Sequence, residues 1–512
     1  MLKQDQNQGG QRRRTCATDQ MLRKTVLLPV SAIALCVLLL IVVSACGGSH
    51  DSASNALERP AGFTDNQWLG KQLFFDTNLS EPTGQACVAC HASQVGWTGP
   101  DAVTNLGGAA YEGAVKGRFG NRKPPSSAYG GDSPILHLDA TDGWTGGMTW
   151  DGHAPGLTLG DPLAEQALQP FVNPLEENNA TATVVVDKVK QSSYANLFRS
   201  VWGADAFSDV NAAYNNIGRS IAAYERSNEV SPYNSRYDTY VKSGSGLTSE
   251  ELQGLALFNG KAKCVQCHSG KDFTDFTYDN SGVPKNPMNP FYSELAFNPL
   301  GASWVDQGLG GYLKTAGYDA SVYEPALGMF KVPTLRNVGK QSGVNFPKAY
   351  GHNGYFKSLE EVVHFYNTRD TMPWPAPEYA ATVNQTQVGN LGLTPAEEKS
   401  IVAFLKTLSD EKIATKLTMN VNPLTLKLGR STHFYGVITP NMVDRTPIRL
   451  MVRKSGQTKW TNVAPYVRTF GGYHWSFYYH PNTRGTYYFK VQFAETAQFL
   501  GITSRTVKAI WK

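Results

Sequence analysis

Beyond its first 46 residues this chain has only four cysteines, and all four fall in two short strings. If those strings bind something else, no thiol is left for a disulfide framework. Charge of one sign is scarce too. The 512 residues carry 47 lysines and arginines against 42 acidic residues, a net +5. Taken as mild and spread along the chain, that balance makes no case for a nucleic-acid partner. Long apolar runs are confined to the N-terminus.

That N-terminus reads as a targeting segment. Arg23 and Lys24 precede an apolar run from Val26 to Val43, and Val43-Ser44-Ala45-Cys46 follows. The order is that of a secretory signal, with Met21 as the effective start. The last four residues resemble a bacterial lipobox, in which Cys46 would become the lipid-bearing first residue. The alternative is an uncleaved anchor, because the run is nearly long enough to span a bilayer. Either way the protein is expected outside the cytoplasm, facing the periplasm. Gly47, in place of an aspartate, favours the outer membrane. Residues 1–46 are thus a signal segment and 47–62 a small, polar tether.

What is present, twice, is one pentapeptide. "CVACH" spans Cys87 to His91 and "CVQCH" spans Cys264 to His268. Cys-x-x-Cys-His is the attachment signature of a c-type haem. The two thiols add to the haem vinyl groups, and the adjacent histidine falls under the iron. The alternatives are a pair of disulfides or a shared zinc site, although zinc requires no histidine after each pair.

Around these strings the sequence predicts helices joined by long Gly/Pro/Asn-rich loops. Thr248-Ser249-Glu250-Glu251 and Thr394-Pro395-Ala396-Glu397 are capping boxes, and another helix starts at Thr64. Loops this long need something large to organise them. From about Lys416 short runs rich in aromatic and β-branched residues alternate with turn signals. That rhythm predicts an immunoglobulin-like β-sandwich whose aromatic residues form its core. The expected division is residues 63–246 and 247–412 for two haem domains and 413–512 for the sandwich.

Several motifs accompany the two strings in a fixed order: "LGKQLFFDTNLS", "TWDGH", "EQALQPFVNPLEEN", "FKVPTLRNV" and "YGHNGYFKSLEEVVHFYN". Together they resemble the bacterial di-haem cytochrome c peroxidases and their relatives, MauG among them. The resemblance covers residues 62–410. It implies a mainly α fold with long loops, made of two cytochrome c-like haem domains, to which the all-β sandwich is appended. It also implies two covalently bound c-type haems. The first, on Cys87, Cys90 and His91, reacts with peroxide; the second, on Cys264, Cys267 and His268, moves electrons.

By the same resemblance Gln166, Pro170 and Glu176 form the distal pocket, with Glu176 moving the proton between the oxygens of peroxide. Trp150 lies between the haems. The histidine that blocks the first iron in many members is missing, since none lies between His91 and His137; His137 and His153 are the nearby substitutes. Tyr366 stands where the family places the sixth ligand of the second iron, with Met372 as the alternative. A phenolate there favours a two-iron Fe(IV) state. Two residues depart from the family. Ala262 replaces a tryptophan through which MauG oxidises its protein substrate. Lys123, with Asn121 just upstream, replaces an asparagine of the interdomain calcium site, so calcium is only an open possibility. The implied activity is reduction of hydrogen peroxide with electrons from a small cytochrome or cupredoxin. The alternatives are MauG-like oxidation of side chains on a partner protein, and pure electron transfer.

Overall fold

The structure, a computed structural model, describes residue 59 and residues 62–512 apart from 344, 413–414, 440–446, 464–466, 469–473 and 495–498. The signal segment and nearly all of the tether lie outside the described residues. Among those described, no helix is long and apolar enough to cross a membrane.

Six helices frame the α part: α1 (Asp65–Phe75), α2 (Pro162–Val172), α3 (Val210–Glu225), α4 (Ser249–Asn259), α5 (Leu359–Thr368) and α6 (Pro395–Lys406). Capping boxes start α1 at Thr64, α4 at Thr248 and α6 at Thr394. In each, the threonine hydroxyl accepts the third amide of the helix while the side chain three residues on accepts the cap amide.

The same crossing occurs twice. α1 packs on α3 and α4 packs on α6, each pair meeting at a glycine. A Cβ on Gly70 would sit 1.8 Å from the Ser220 carbonyl oxygen, and one on Gly254 would sit 1.9 Å from that of Ser400. Backbone therefore touches backbone, and only glycine fits. In both partner helices that serine turns its hydroxyl onto the carbonyl four residues back, Asn216 and Ala396. The first pair is further held by a buried ion pair, Lys71 Nζ to Glu229 at 2.7 Å, and Tyr224 donates to the same carboxylate.

Each crossing closes over its own apolar core. The first contains Trp68, Phe74, Phe171, Phe198 and Tyr224; the second contains Phe258, Phe273, Phe365, Ile401 and Phe404. We propose that the division at 63–246, 247–412 and 413–512 follows these cores. Helix Arg236–Ser243 precedes the 246 boundary yet packs on the second core through Tyr237, with Asp238 bound to Arg336 at 2.7 Å and Arg236 to Glu251 at 2.7 Å.

The C-terminal region is all β. Its longer strands are β1 (Thr432–Thr439), β2 (Pro447–Lys454), β3 (His474–Tyr479), β4 (Gly485–Phe493) and β5 (Val507–Trp511). β2, β4 and β5 are adjacent and antiparallel in one sheet; β1 and β3 pair antiparallel in the other. Alternate residues of both sheets meet inside, where Phe434 and Phe489 rings lie 4.5 Å apart and Trp475 and Trp511 are fully buried. This is a sandwich, and its aromatic residues are mostly core, as the alternation predicts.

Asp410 belongs to the α part. Its carboxylate accepts from Tyr129 Oη (2.6 Å) and Asn337 Nδ2 (2.7 Å), and its amide donates to the Asn337 side chain. A chain shortened after Lys412 is therefore expected to keep both haems and melt as the α part of the whole protein does. One shortened after Ser409 should melt lower. Calorimetry and haem content of the two check this. Gly254→Val should destabilise the protein by about 1–3 kcal/mol or more, visible as a lower Tm, whereas Gly244→Val, at a helix end with open space around it, should leave the α4–α6 crossing intact.

Candidate active site

The two pentapeptides fold alike. Each forms a single 3-10 turn, Cys87–Ala89 and Cys264–Gln266, and the histidine amide closes it on the first cysteine carbonyl at 2.9 Å in both. An aromatic residue in the left-handed region follows each, Trp97 (φ 61°) and Phe273 (φ 53°). Its carbonyl accepts the histidine Nδ1–H, at 3.3 Å for His91 and 3.0 Å for His268. That bond fixes the tautomer and leaves Nε2 with its lone pair. Burial pushes the His91 ring down to about 4 and lowers His268 as well, so both rings are neutral at neutral pH. The threonine after each aromatic residue closes the loop below, Thr98 onto the Pro124 carbonyl and Thr274 onto that of Val332, both at 2.6 Å.

Among the described residues the four cysteines form no disulfide and lie half-buried at the walls of two cavities. Among the described residues no three His, Cys, Asp or Glu side chains converge to hold a metal ion, which counts against a shared zinc site. The first cavity has about 1240 Å³ of empty space, mouth included, and the second about 1530 Å³. Each thus combines two adjacent thiols, an oriented neutral imidazole and room for a large planar ligand. That donor set fits a covalently attached haem.

The first cavity gathers Cys87, Cys90, His91, Gln166, Pro170 and Glu176. Gln166 reaches it from α2. Pro170 sits in the last turn of α2, and its carbonyl accepts the amides of Asn173 (3.3 Å) and Glu177 (3.0 Å). That turn swings the next two carboxylates back toward the cavity. Burial raises the Glu176 carboxyl above the usual range, against the pull of the Asn173 amide and of His153.

The neighbouring Glu177 differs from expectation. The sequence suggests an ordinary surface carboxylate, but Glu177 is 3% exposed, lines the cavity, and is pushed up to about 8 by burial and by Glu176. Glu225, from α3, is also buried at this cavity and pushed up to about 8. Nothing in the local sequence marks either as a cavity residue. Only the folding of α2 and α3 onto the same wall does so.

Of the two substitute histidines, His153 lines the first cavity, with Nδ1 held by Asp151 and by Thr149 Oγ1 at 3.0 Å. His137 is exposed, and its Nδ1 bonds the carbonyl of Ile135.

The second cavity gathers Cys264, Cys267, His268, Tyr366 and Ala262. Tyr366 enters from α5, and burial pushes its phenol up to about 12. Met372 is 49% exposed and does not line the cavity. Ala262 is 3% exposed, so no side chain here reaches the surface as a tryptophan could.

Trp150 lines both cavities. Its Nε1 donates to the Lys123 carbonyl at 2.8 Å, and its own carbonyl accepts the Lys331 amide at 2.8 Å. Below it Arg122 makes a bidentate pair with Asp306 (2.6 and 2.7 Å) and a further pair with Asp151 (2.7 Å). Although burial alone would raise them, Arg122 holds both carboxylates below the usual range. The sequence reading missed this Arg122 hub, because its two acids lie far away in the chain. Lys123 is buried, donates to Thr98 Oγ1 and the Pro124 carbonyl at 2.8 Å each, and is lowered to about 7 by burial. Asn121 offers its backbone carbonyl to Asn289.

Comparison with known proteins agrees with this arrangement. The family model described as di-haem cytochrome c peroxidase matches residues 64–245. The methylamine utilization protein MauG of Paracoccus denitrificans is 31% identical over 367 residues, 67% of this chain and 88% of that protein. The cytochrome c551 peroxidase of Nitrosomonas europaea is 28% identical, over 68% of this chain and 81% of its own. Among solved structures, the diheme peroxidase BthA from Burkholderia thailandensis superposes with a TM-score of 0.59 at 30% identity, covering 69% of this chain and 87% of that one. The chain belongs to the di-haem cytochrome c peroxidase and MauG family, oxidoreductases that carry two c-type haems and use peroxide as acceptor.

Proposed function

We propose that this enzyme reduces hydrogen peroxide in the first cavity, with electrons delivered from a small cytochrome or cupredoxin through the second. Cys87 and Cys90 would hold one haem and His91 Nε2 its iron; Cys264, Cys267 and His268 would hold the other. When bound, the haems would supply redox-active iron for the reduction of peroxide. The observation that carries the reading is the Glu176 carboxyl, raised by burial and lining the same cavity as His91.

The chain's own groups divide the work. Glu176 takes the proton from the near oxygen of peroxide and returns it to the far one, a shuttle suited by a carboxyl that burial raises above its usual range. The Gln166 amide orients the peroxide, and Pro170, which has no N–H, sets the turn that aims Glu176. His153, with Nδ1 tied to Asp151, pulls the Glu176 carboxyl down electrostatically against the effect of burial. Trp150 forms the short path between the cavities. Lys123 stands where the family's calcium ligand would, and, lowered to about 7 by burial, it brings only part of a positive charge there at neutral pH. Tyr366 gives an anionic oxygen to the second iron, against a neutral sulfur from Met372. The buried Ala262 favours peroxide reduction over the MauG-like alternative, oxidation of a partner protein. Export, with a lipid on Cys46, places this chemistry in the periplasm.

The fully oxidised protein is expected to react with peroxide without prior reduction, seen as a change in the haem spectrum on rapid mixing. A reaction that needs one haem reduced first would mean that a protein ligand blocks the first iron. Glu176→Gln should keep both haems and slow peroxide cleavage about a hundredfold or more; near-normal turnover would shift the shuttle to Glu177 or Glu225.

Tyr366→Phe should retain haem and raise the midpoint potential of the second haem, because an anionic oxygen stabilises the oxidised iron. Mössbauer spectra after peroxide should show both irons oxidised beyond ferric in the natural protein and only one in the variant. A thioether charge-transfer band in the ferric natural protein would put methionine on the iron.

A further inference from the structure

The charge of this chain is not spread evenly, contrary to what its small net value suggests. Residues 47–412 hold 27 basic and 38 acidic residues, a net −11, whereas residues 413–512 hold 14 basic residues against two acidic ones, a net +12. The sandwich is therefore strongly basic, and four of its 14 cations lie on the outer face of the larger sheet. In β2 the buried Ile448, Leu450 and Val452 point inward, which turns Arg449 and Arg453 outward. In β4 the buried Phe489 and Val491 turn Tyr488 and Lys490 outward, and in β5 the buried Ala509 turns Lys508 outward.

The register lines these residues up. Arg453 is opposite Tyr488, Tyr488 is opposite Lys508, and Lys490 is opposite Met451. The cations rest on rings: the Arg453 guanidinium is 5.3 Å from the Trp460 ring and 5.0 Å from that of Tyr488, and Lys490 Nζ is 4.6 Å from Trp460. Stacking of this kind orders a long side chain before any ligand arrives. The described residues of the sandwich include no acidic side chain, since Asp444 and Glu495 lie outside them.

We propose that this sheet face docks on an anionic lipid surface. The face is a sheet surface three main strands wide, with cations in rows, which suits a plane of phosphate headgroups. The rings lie under the cations rather than projecting, so contact is electrostatic and not insertion. On the proposed export the chain also has its own route to a membrane, a lipid on Cys46 joined by the 47–62 tether, which can reach on the order of 50 Å when extended. The acidic residues 47–412 are repelled by the same surface, which leaves the sandwich as the part that approaches it. Each basic residue near an anionic membrane strengthens binding about fivefold.

The test uses the holoprotein of residues 47–512, so that no apolar run contributes, with vesicles of phosphatidylcholine alone or mixed with phosphatidylglycerol. Binding is expected to the mixed vesicles only, and to vanish at about 0.5 M salt, where the Debye length falls to a few ångströms. Arg453→Gln, Lys490→Gln and Lys508→Gln together should weaken it by about a hundredfold, and the three corresponding glutamate changes should abolish it. Haem content and peroxide turnover in solution should be unchanged in both variants, which shows that they fold. Equal binding by the variants, no binding to the mixed vesicles at low salt, or displacement by millimolar inorganic phosphate would each overturn the proposal. Capture by an acidic polypeptide such as polyglutamate without vesicle binding would overturn it in favour of a protein partner.

Discussion

Two hydrogen bonds of Trp150 hold the α part together where it matters most. The indole N–H is given to Lys123 and the backbone carbonyl takes the amide of Lys331. Lys123 and Lys331 begin equivalent segments, Lys123-Pro124-Pro125 and Lys331-Val332-Pro333, which cover the histidine loops of the first and second cavities through Thr98 and Thr274. Trp150 thus ties the two sites directly to each other, and bonds such as Tyr129–Asp410 and Arg122–Asp306 join the same halves around it. The buried Arg122 hub below it, with Asp151 and Asp306, makes that tie stiff, because moving either carboxylate would leave a charge unpaired away from water.

Much of this was legible before the fold was known. The paired Cys-x-x-Cys-His strings, the threonine caps and the change to alternating aromatic residues are local signals, and local signals survive folding. Trp150, Gln166, Glu176 and Tyr366 could be picked out because motifs surround them, and each lines the expected cavity. Glu177, Glu225 and Arg122 could not. Their burial depends on which distant elements close over them, and a carboxylate beside another carboxylate reads as solvated until that is known. The polarity of the chain was hidden for a simpler reason: a net value averages over two regions of opposite sign.

Family membership supplies the framework, and the departures give this enzyme its character. The relatives cover about two-thirds of the chain, and the sandwich is a large part of the remainder. Tyr366 and Ala262 at the second cavity and Lys123 at the first are positions where a side chain can change charge or connectivity without altering the scaffold. All three lie at or beside the cavities, so the chemistry of the family can be retuned while the helix crossings stay as they are.

Those crossings also govern how the chain acquires its shape. Gly70 and Ser220 are roughly 150 residues apart in sequence, as are Gly254 and Ser400, so each helix pair is a late event whose loop-closure entropy must be overcome first. The pentapeptides, by contrast, complete their turns within five residues. In a chain that emerges from its N-terminal end, each attachment string is complete before the more distant helix partners that enclose it can meet. The first half contains all of its own crossing and can close before the second has emerged. A scaffold built this way leaves a window for covalent loading of each half in turn, and the glycine contact shuts that window behind it.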